Sequence, residues 1–253
     1  MAQTVELKAL DGFMRKELPR AIIGRAPDFF ITQPELSQVM RWKLLRGKFR
    51  PKLQAYVDSL SSVTVVSASR AAFKFASTGK IKEALDAMSK PLVGVGPATA
   101  SAVLAAFDPS IPFMSDEALA LLGGTPMYSL AEGVELASAL WTIAGRLQDL
   151  EPPTSSRKWT AQAVQEAVWA AKRNPGGPNL SSVCSRLLAS SSRATITSHA
   201  VSTANVLLVS ATADEGSGTG KVELHSQVAG KRSRDKDDRA SSRVVRGTHK
   251  LPR

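Results

Sequence analysis

The sequence predicts an all-α fold, and three observations carry that prediction. Apolar residues recur at helical spacing through nearly every segment before residue 174, and two capping boxes open helices in the same stretch. The one β-like run, Val63-Thr64-Val65-Val66, is too short to require a sheet. Thr32-Gln33-Pro34-Glu35 is the first capping box, with proline in the first turn. It opens a helix whose inward residues are Leu36, Val39, Met40 and Leu44, until Gly47 ends it. A second helix starts at Pro51 with Leu53, Val57 and Leu60 facing in, and a third spans about residues 67–77 before Gly79 stops it. Ile81, Ala84, Leu85 and Met88 share a helical face; beyond a glycine turn, Val103, Ala106 and Phe107 share another. A short helix then runs to Leu122 and meets Gly123-Gly124. The second capping box, Ser129-Leu130-Ala131-Glu132, opens a long helix to about Leu150 with Leu136, Leu140, Ile143 and Leu147 as its buried stripe. After Pro152-Pro153 a last helix covers about residues 160–173, where Val164, Val168 and Ala171 align.

Composition changes near Asn174, which predicts one folded domain at 1–173 and a disordered, basic, low-complexity tail at 174–253. The tail holds Pro175-Gly176-Gly177-Pro178, Ser190-Ser191-Ser192, Gly216-Ser217-Gly218-Thr219-Gly220 and the charge-mixed stretch 231–239. Residues 201–209 are apolar enough for a short helix or strand but have no evident partner to bury against. A formal net charge of +11, with base in excess in both parts, suits an anionic partner: DNA, RNA or a membrane surface. The single cysteine, Cys184, leaves no internal disulfide, no cysteine zinc site and no four-thiolate iron–sulfur cluster. All three histidines, His199, His225 and His249, fall in the tail, so neither a metal site nor any other cofactor is expected in the folded part. No apolar run reaches the roughly 18 residues of a membrane span, and the amino terminus carries no charged-then-apolar leader. An intracellular location is therefore expected. Lys231-Arg232-Ser233-Arg234-Asp235-Lys236 reads as a nuclear import signal or a loose nucleic-acid tether, which favours the nucleus.

The chemistry-bearing run is Leu92-Val93-Gly94-Val95-Gly96-Pro97-Ala98-Thr99-Ala100. Two glycines two apart open backbone conformations closed to other residues and clear the side chains that would block close approach. With helical pattern on both sides, the amides of Gly94, Val95, Gly96 and Ala98 point outward at a helix N-terminus, where the helix dipole favours an anion such as a phosphate. Asp116 follows in Pro112-Phe113-Met114-Ser115-Asp116-Glu117-Ala118-Leu119, 18 residues after Ala98.

These residues resemble the helix-hairpin-helix of the DNA-glycosylase superfamily, in which a Leu-x-Gly-Val-Gly turn, a small-residue helix and then a catalytic aspartate follow one another at this spacing. The resemblance covers about residues 81–122. More narrowly, the chain is similar to the eukaryotic Amun-like branch through Arg46-Gly47-Lys48-Phe49-Arg50-Pro51, Gly94-Val95-Gly96-Pro97-Ala98-Thr99-Ala100-Ser101 and Ser115-Asp116-Glu117-Ala118, a match running over about residues 17–169. The resemblance implies a glycosylase-like helical domain that grips DNA backbone through Gly94, Val95, Gly96, Pro97, Ala98 and Thr99, and base excision using Asp116 on a nucleotide rotated out of the duplex. Ala98 stands where strand-cleaving members carry a nucleophilic lysine, which implies a monofunctional enzyme without lyase activity. Glu117-Ala118 departs from the hydroxyl or β-branched residue, then histidine or asparagine, of many members.

Each candidate also has a plain structural reading. Ser115 or Asp116 would cap the helix that follows, stabilising it by about 1 kcal/mol, and the whole domain could be a non-catalytic module binding nucleic acid or protein on an inherited scaffold. Phe113 and Met114 either line a flipped-base pocket or simply enter the core. Arg41, Lys43, Arg46, Lys48, Arg50 and Lys52 are six bases with no acid among them, bracketing Trp42 and Phe49. They form a phosphate-tracking surface or a solvated helix face. Trp141, Trp159 and Trp169 sit where core packing accounts for them, with base stacking as the other reading.

Overall fold

The computed structural model describes residues 2–48, 50–174 and 180–189. The chain divides into two units, Met1–Glu215 and Gly216–Arg253; the second lies wholly outside the described residues, as do residues 201–209, the three histidines and the 231–236 import pattern. Among the described residues there is no strand, and no helix is long and apolar enough to cross a membrane. Helix α1 (Ala2–Gly12) runs through a π-helical turn at Phe13–Glu17 into α2 (Leu18–Ile23), followed by α3 (Gln33–Arg46), α4 (Pro51–Asp58), α5 (Ser62–Ala76) and α6 (Ile81–Ser89). Then come α7 (Pro97–Phe107), the short α8 (Asp116–Leu119) with a 3₁₀ turn at Ala120–Leu122, α9 (Leu130–Leu150), α10 (Ala161–Lys172) and α11 (Leu180–Ala189).

Both capping boxes form. Thr32 donates its N–H to Glu35 Oε2 at 2.7 Å while its hydroxyl accepts from the Glu35 amide, and Ser129 and Glu132 repeat the arrangement at the head of α9. Each box satisfies amides that the first turn leaves without partners. The expected helix at 67–77 instead begins at Ser62, so the β-branched run is helical. Val65 is fully buried while Val63 stays in solvent, and burial of that face outweighs the modest propensity penalty of valine.

The expected end of the fold at residue 173 is corrected. Helix α11 buries Val183, Cys184 and Leu187 against α9 and α10. These residues recur at i, i+1 and i+4, a stripe too short to register beside the Pro-Gly-rich stretch that precedes it. Burial raises the Cys184 thiol to about 11, so it packs as a small apolar group.

Two hydrophobic clusters result. The larger gathers α1 to α7 around Phe73, Met40, Leu85 and Leu104, with Phe107 stacked on Phe73 at 4.4 Å between ring centroids; the smaller joins α8 to α11 around Leu119, Leu140 and Val164. The segment leading to α8 crosses from one to the other, Phe113 in the larger cluster and Met114 in the smaller. Gly133 lets α9 approach: a Cβ there would lie 2.6 Å from Leu85 Cδ1 and 3.0 Å from Met114 Sδ. The helix that seats Met114 thus depends on a missing side chain.

Candidate active site

The turn between α6 and α7 uses its two glycines differently. Gly94 has φ +86°, and a Cβ on it would meet Tyr56 Cβ of α4 at 2.8 Å, so both conformation and contact require glycine. Gly96 is extended, with φ −94° and ψ 178°, and a Cβ there would meet nothing within 4 Å; its lack of a side chain leaves an open approach to the head of α7. Not every amide of the turn is free. Val95 N–H donates to Leu92 O, and Thr99 N–H to Gly96 O. The amides of Gly94, Gly96 and Ala98 have no hydrogen-bond partner among the described residues, and Gly96 provides no side-chain cap. Val95, Ala98 and Thr99 are buried, and of the turn Gly94, Gly96, Pro97 and Ala98 line the adjoining cavity.

This turn forms one wall of a cavity of about 370 Å³, within the range of small-ligand sites. The end of α3 and the loop after it supply Lys43, Arg46, Lys48 and Arg50; the segment into α8 supplies Phe113, Met114, Ser115, Asp116 and Glu117; Met127, Tyr128 and Trp169 close it. Stretches far apart in sequence therefore converge on one space. The 111–115 segment is held from both sides: Met114 N–H donates to Ser101 Oγ of α7 and Phe113 N–H to Gln162 Oε1 of α10, each at 2.9 Å.

Asp116 is the first residue of α8 and is exposed, but it is not the cap. Ser115 takes that role, accepting from the Ala118 amide at 3.2 Å and from Gln165 Nε2 at 3.0 Å. The capping explanation for Asp116 is thereby removed. Its carboxylate accepts one hydrogen bond, from the Tyr128 hydroxyl to Oδ1 at 2.5 Å. Burial first, and that bond second, push the phenol up to about 12, so it stays a donor. Tyr128 has φ +54°, a conformation costly for an aromatic residue. The flanking hydrogen bonds hold it there, since Glu132 accepts from the amides of Met127 and Ser129 on either side.

The basic run 41–52 does not act as one surface. Arg41 pairs with Glu6 through Nε at 2.6 Å and Nη2 at 2.9 Å, away from the cavity. Arg46 is 4% exposed, its guanidinium lying 4.6 Å from the Trp42 ring centroid and 3.6 Å from that of Trp169. Burial brings it down to about 10, still charged at neutral pH. Both are corrections to the phosphate-tracking expectation: Trp42 and Trp169 sandwich one arginine, and an acid upstream claims the other. Trp42 itself is core, donating to Asp11 at 2.7 Å and packing on Phe113. Lys48 and Arg50 are exposed at the mouth and make no ion pair within 4 Å among the described residues. Lys43 lies inside, its Nζ donating to Thr99 Oγ1 at 3.1 Å; burial, and secondarily the charge of Arg50, lower its pKa, while Asp116 acts in the opposite sense.

Glu117 is paired with Arg173. That guanidinium bridges Glu117 Oε1 at 2.9 Å and Arg46 O at 2.7 Å, fastening α10 to α8 and to the end of α3. Tyr128 and Met127 are the site residues that the sequence does not single out, and Trp169, read there chiefly as core, lines the cavity. The only local signal for Tyr128 is its place directly before the second capping box. No family model, no curated protein and no solved structure matches the chain.

Proposed function

We propose that the chain binds duplex DNA through the α6–α7 turn on a helix-hairpin-helix glycosylase-like scaffold, and cleaves the glycosidic bond of a nucleotide rotated into the cavity. The observation that carries this reading is the meeting, in one 370 Å³ space, of helix-head amides that have no protein partner and three cations that have no ion pair among the described residues, with a carboxylate that does not cap its helix. The amides of Gly94, Gly96 and Ala98, with the α7 dipole behind them, receive a backbone phosphate. Lys48 and Arg50 flank it and give affinity that falls with salt. Phe113, Met114 and Trp169 offer apolar wall to a base, which must leave the stack to be reached. The Asp116 carboxylate, held by Tyr128, stabilises positive charge developing on the sugar as the base departs, or orients the attacking water.

Single-turnover base release tests this, using duplexes that carry alkylated, deaminated or oxidised bases, with abasic sites revealed by alkali and Asp116→Asn run beside the wild type. Release that disappears in Asp116→Asn while binding is retained supports the reading and names the lesion class. A folded wild-type protein that releases no base from any duplex overturns it, and leaves a non-catalytic binding module.

A further inference from the structure

The wall of the cavity formed by Lys43, Arg46 and Trp169 carries hydrogen-bond donors and no side-chain acceptor. Lys43 Nζ gives one N–H to Thr99 Oγ1 and has others to spare, with no ion pair within 4 Å among the described residues. Arg46 Nε and Nη2 and Trp169 Nε1 are buried and have no hydrogen-bond partner among the described residues. Nε and Nη2 share one edge of the guanidinium, the fork that receives two acceptors side by side. The nearby carboxylate of Asp11 lies instead toward Nη1, at 3.9 Å. Buried donors are nearly always paired in folded proteins, so this wall is short of an acceptor that the chain does not supply. The charges agree. Lys43, Arg46, Lys48 and Arg50 line the space against Asp116 and Glu117, and Glu117 is already held by Arg173.

We infer that the cavity selects a neutral base with an acceptor edge, of the kind deamination produces, and that Lys43 is the specificity-determining residue. The inference rests on the reading of the cavity as a nucleotide site and names the base it takes. Deamination replaces an exocyclic amino group, a donor, by a carbonyl, an acceptor. Against a donor wall adenine turns donor to donor. Its deaminated form, hypoxanthine, turns O6 and N7 to Lys43, the acceptor pair that lysine and arginine take from guanine. A donor left without its acceptor on the wrong base is what makes such discrimination large. Alkylated purines are turned away by charge, since methylation at N7 removes that acceptor and makes the ring a cation beside Lys43, Arg46, Lys48 and Arg50. Guanine and thymine share the acceptor edge but are held by pairing, whereas a deaminated base sits in a mismatch and leaves the stack at lower cost.

The test reads binding without chemistry, using the full chain and duplexes whose target nucleotide carries a 2′-fluoroarabino sugar, which resists cleavage. Hypoxanthine, adenine and 7-methylguanine are compared, each opposite an abasic spacer so that no base pair has to be broken. The wild type should bind hypoxanthine at least about tenfold tighter than either of the others. Lys43→Met should bring the three affinities within about threefold, while Lys74→Met, a change on the exposed side of α5, keeps the order. Equal affinities in the wild type, or a preference for adenine or 7-methylguanine, overturn the inference, as does an unchanged order in a folded Lys43→Met. Lys43→Gln, which puts a neutral amide in place of the ammonium, is read in the same way should Lys43→Met not fold. Base release from cleavable duplexes without this order of binding keeps the glycosylase reading and ends this one. The order of binding without any base release does the reverse.

Discussion

Two cavities of nearly equal size lie on opposite sides of Arg46, about 370 Å³ toward the hairpin and about 360 Å³ toward α1 and α10. The rear one is lined by Asp11, Arg15, Arg46, Gln162 and Glu166 among apolar residues, and its charges are matched: Arg15 reaches Glu166 at 3.5 Å and Arg46 reaches Asp11 at 3.9 Å. In the front one, Lys43, Lys48 and Arg50 make no ion pair among the described residues, and Asp116 is held by a phenol. Size does not distinguish the two spaces; unmatched charge does. Paired charges stabilise the fold, whereas charges left unpaired beside a cavity are available to a ligand.

Removing charge at the rear should therefore cost stability and spare binding. Asp11→Ala takes the acceptor from Trp42 Nε1 and the counter-charge from a buried arginine. Its expected cost is about 3 kcal/mol, a fall in Tm of roughly 6–12 °C, with DNA affinity below the transition unchanged. A loss of affinity without a fall in Tm would break the division between the two cavities.

The hairpin glycines sharpen it next. Gly94→Ala should destabilise by about 2 kcal/mol, because φ +86° is strained for alanine and the new methyl meets Tyr56. Gly96→Ala should change stability by less than about 0.5 kcal/mol yet weaken DNA binding, since the methyl stands where a phosphate would approach. Both variants are read by thermal melts and by titration of a plain duplex. Unchanged affinity in Gly96→Ala would remove the anion site from the turn.

A smaller effect separates the cations. The double change Lys48→Ala with Arg50→Ala should lower the slope of log affinity against log salt by about 1.8, the loss of two phosphate contacts, with Tm hardly moved. Arg41→Ala should leave that slope alone because Glu6 already holds the guanidinium. Equal slopes in all three proteins would show that the mouth of the cavity does not meet the backbone.

Much of the front was legible as sequence. Capping boxes, glycine spacing and apolar stripes are local, so the helices, the hairpin and the position of Asp116 at a helix start could be read from neighbouring residues. The fate of each charge could not, because it depends on partners far along the chain: Arg41 is taken by Glu6, Arg46 is flanked by Trp42 and Trp169, and Lys43 meets Thr99. A run of six bases looks uniform until the fold gives three of them partners. Helix α11 escaped for the same reason, its burial resting on α9 and α10.

Tyr128 offers the finest test of the front cavity. Its phenol holds Asp116 Oδ1 and leaves Oδ2 without a protein partner among the described residues, so Tyr128→Phe frees the carboxylate to rotate without altering charge. A hydrogen bond to a charged group at a half-exposed site contributes on the order of 1 kcal/mol, which predicts a fall of roughly fivefold to tenfold in the single-turnover rate. Affinity for duplex should be unchanged, and a shift in affinity with an unaltered rate would instead make the ring a DNA contact. The phenol also gives a signature that needs no substrate. Its pKa of about 12 lies above that of a free tyrosine, near 10, so the folded protein holds this proton more tightly than the unfolded chain. The associated stability is fully present below about pH 10 and lost as pH rises through about 12. Ultraviolet titration should therefore show a late tyrosinate step that Tyr128→Phe abolishes. Its persistence in the variant would mean that Tyr128 and Asp116 are not joined in solution.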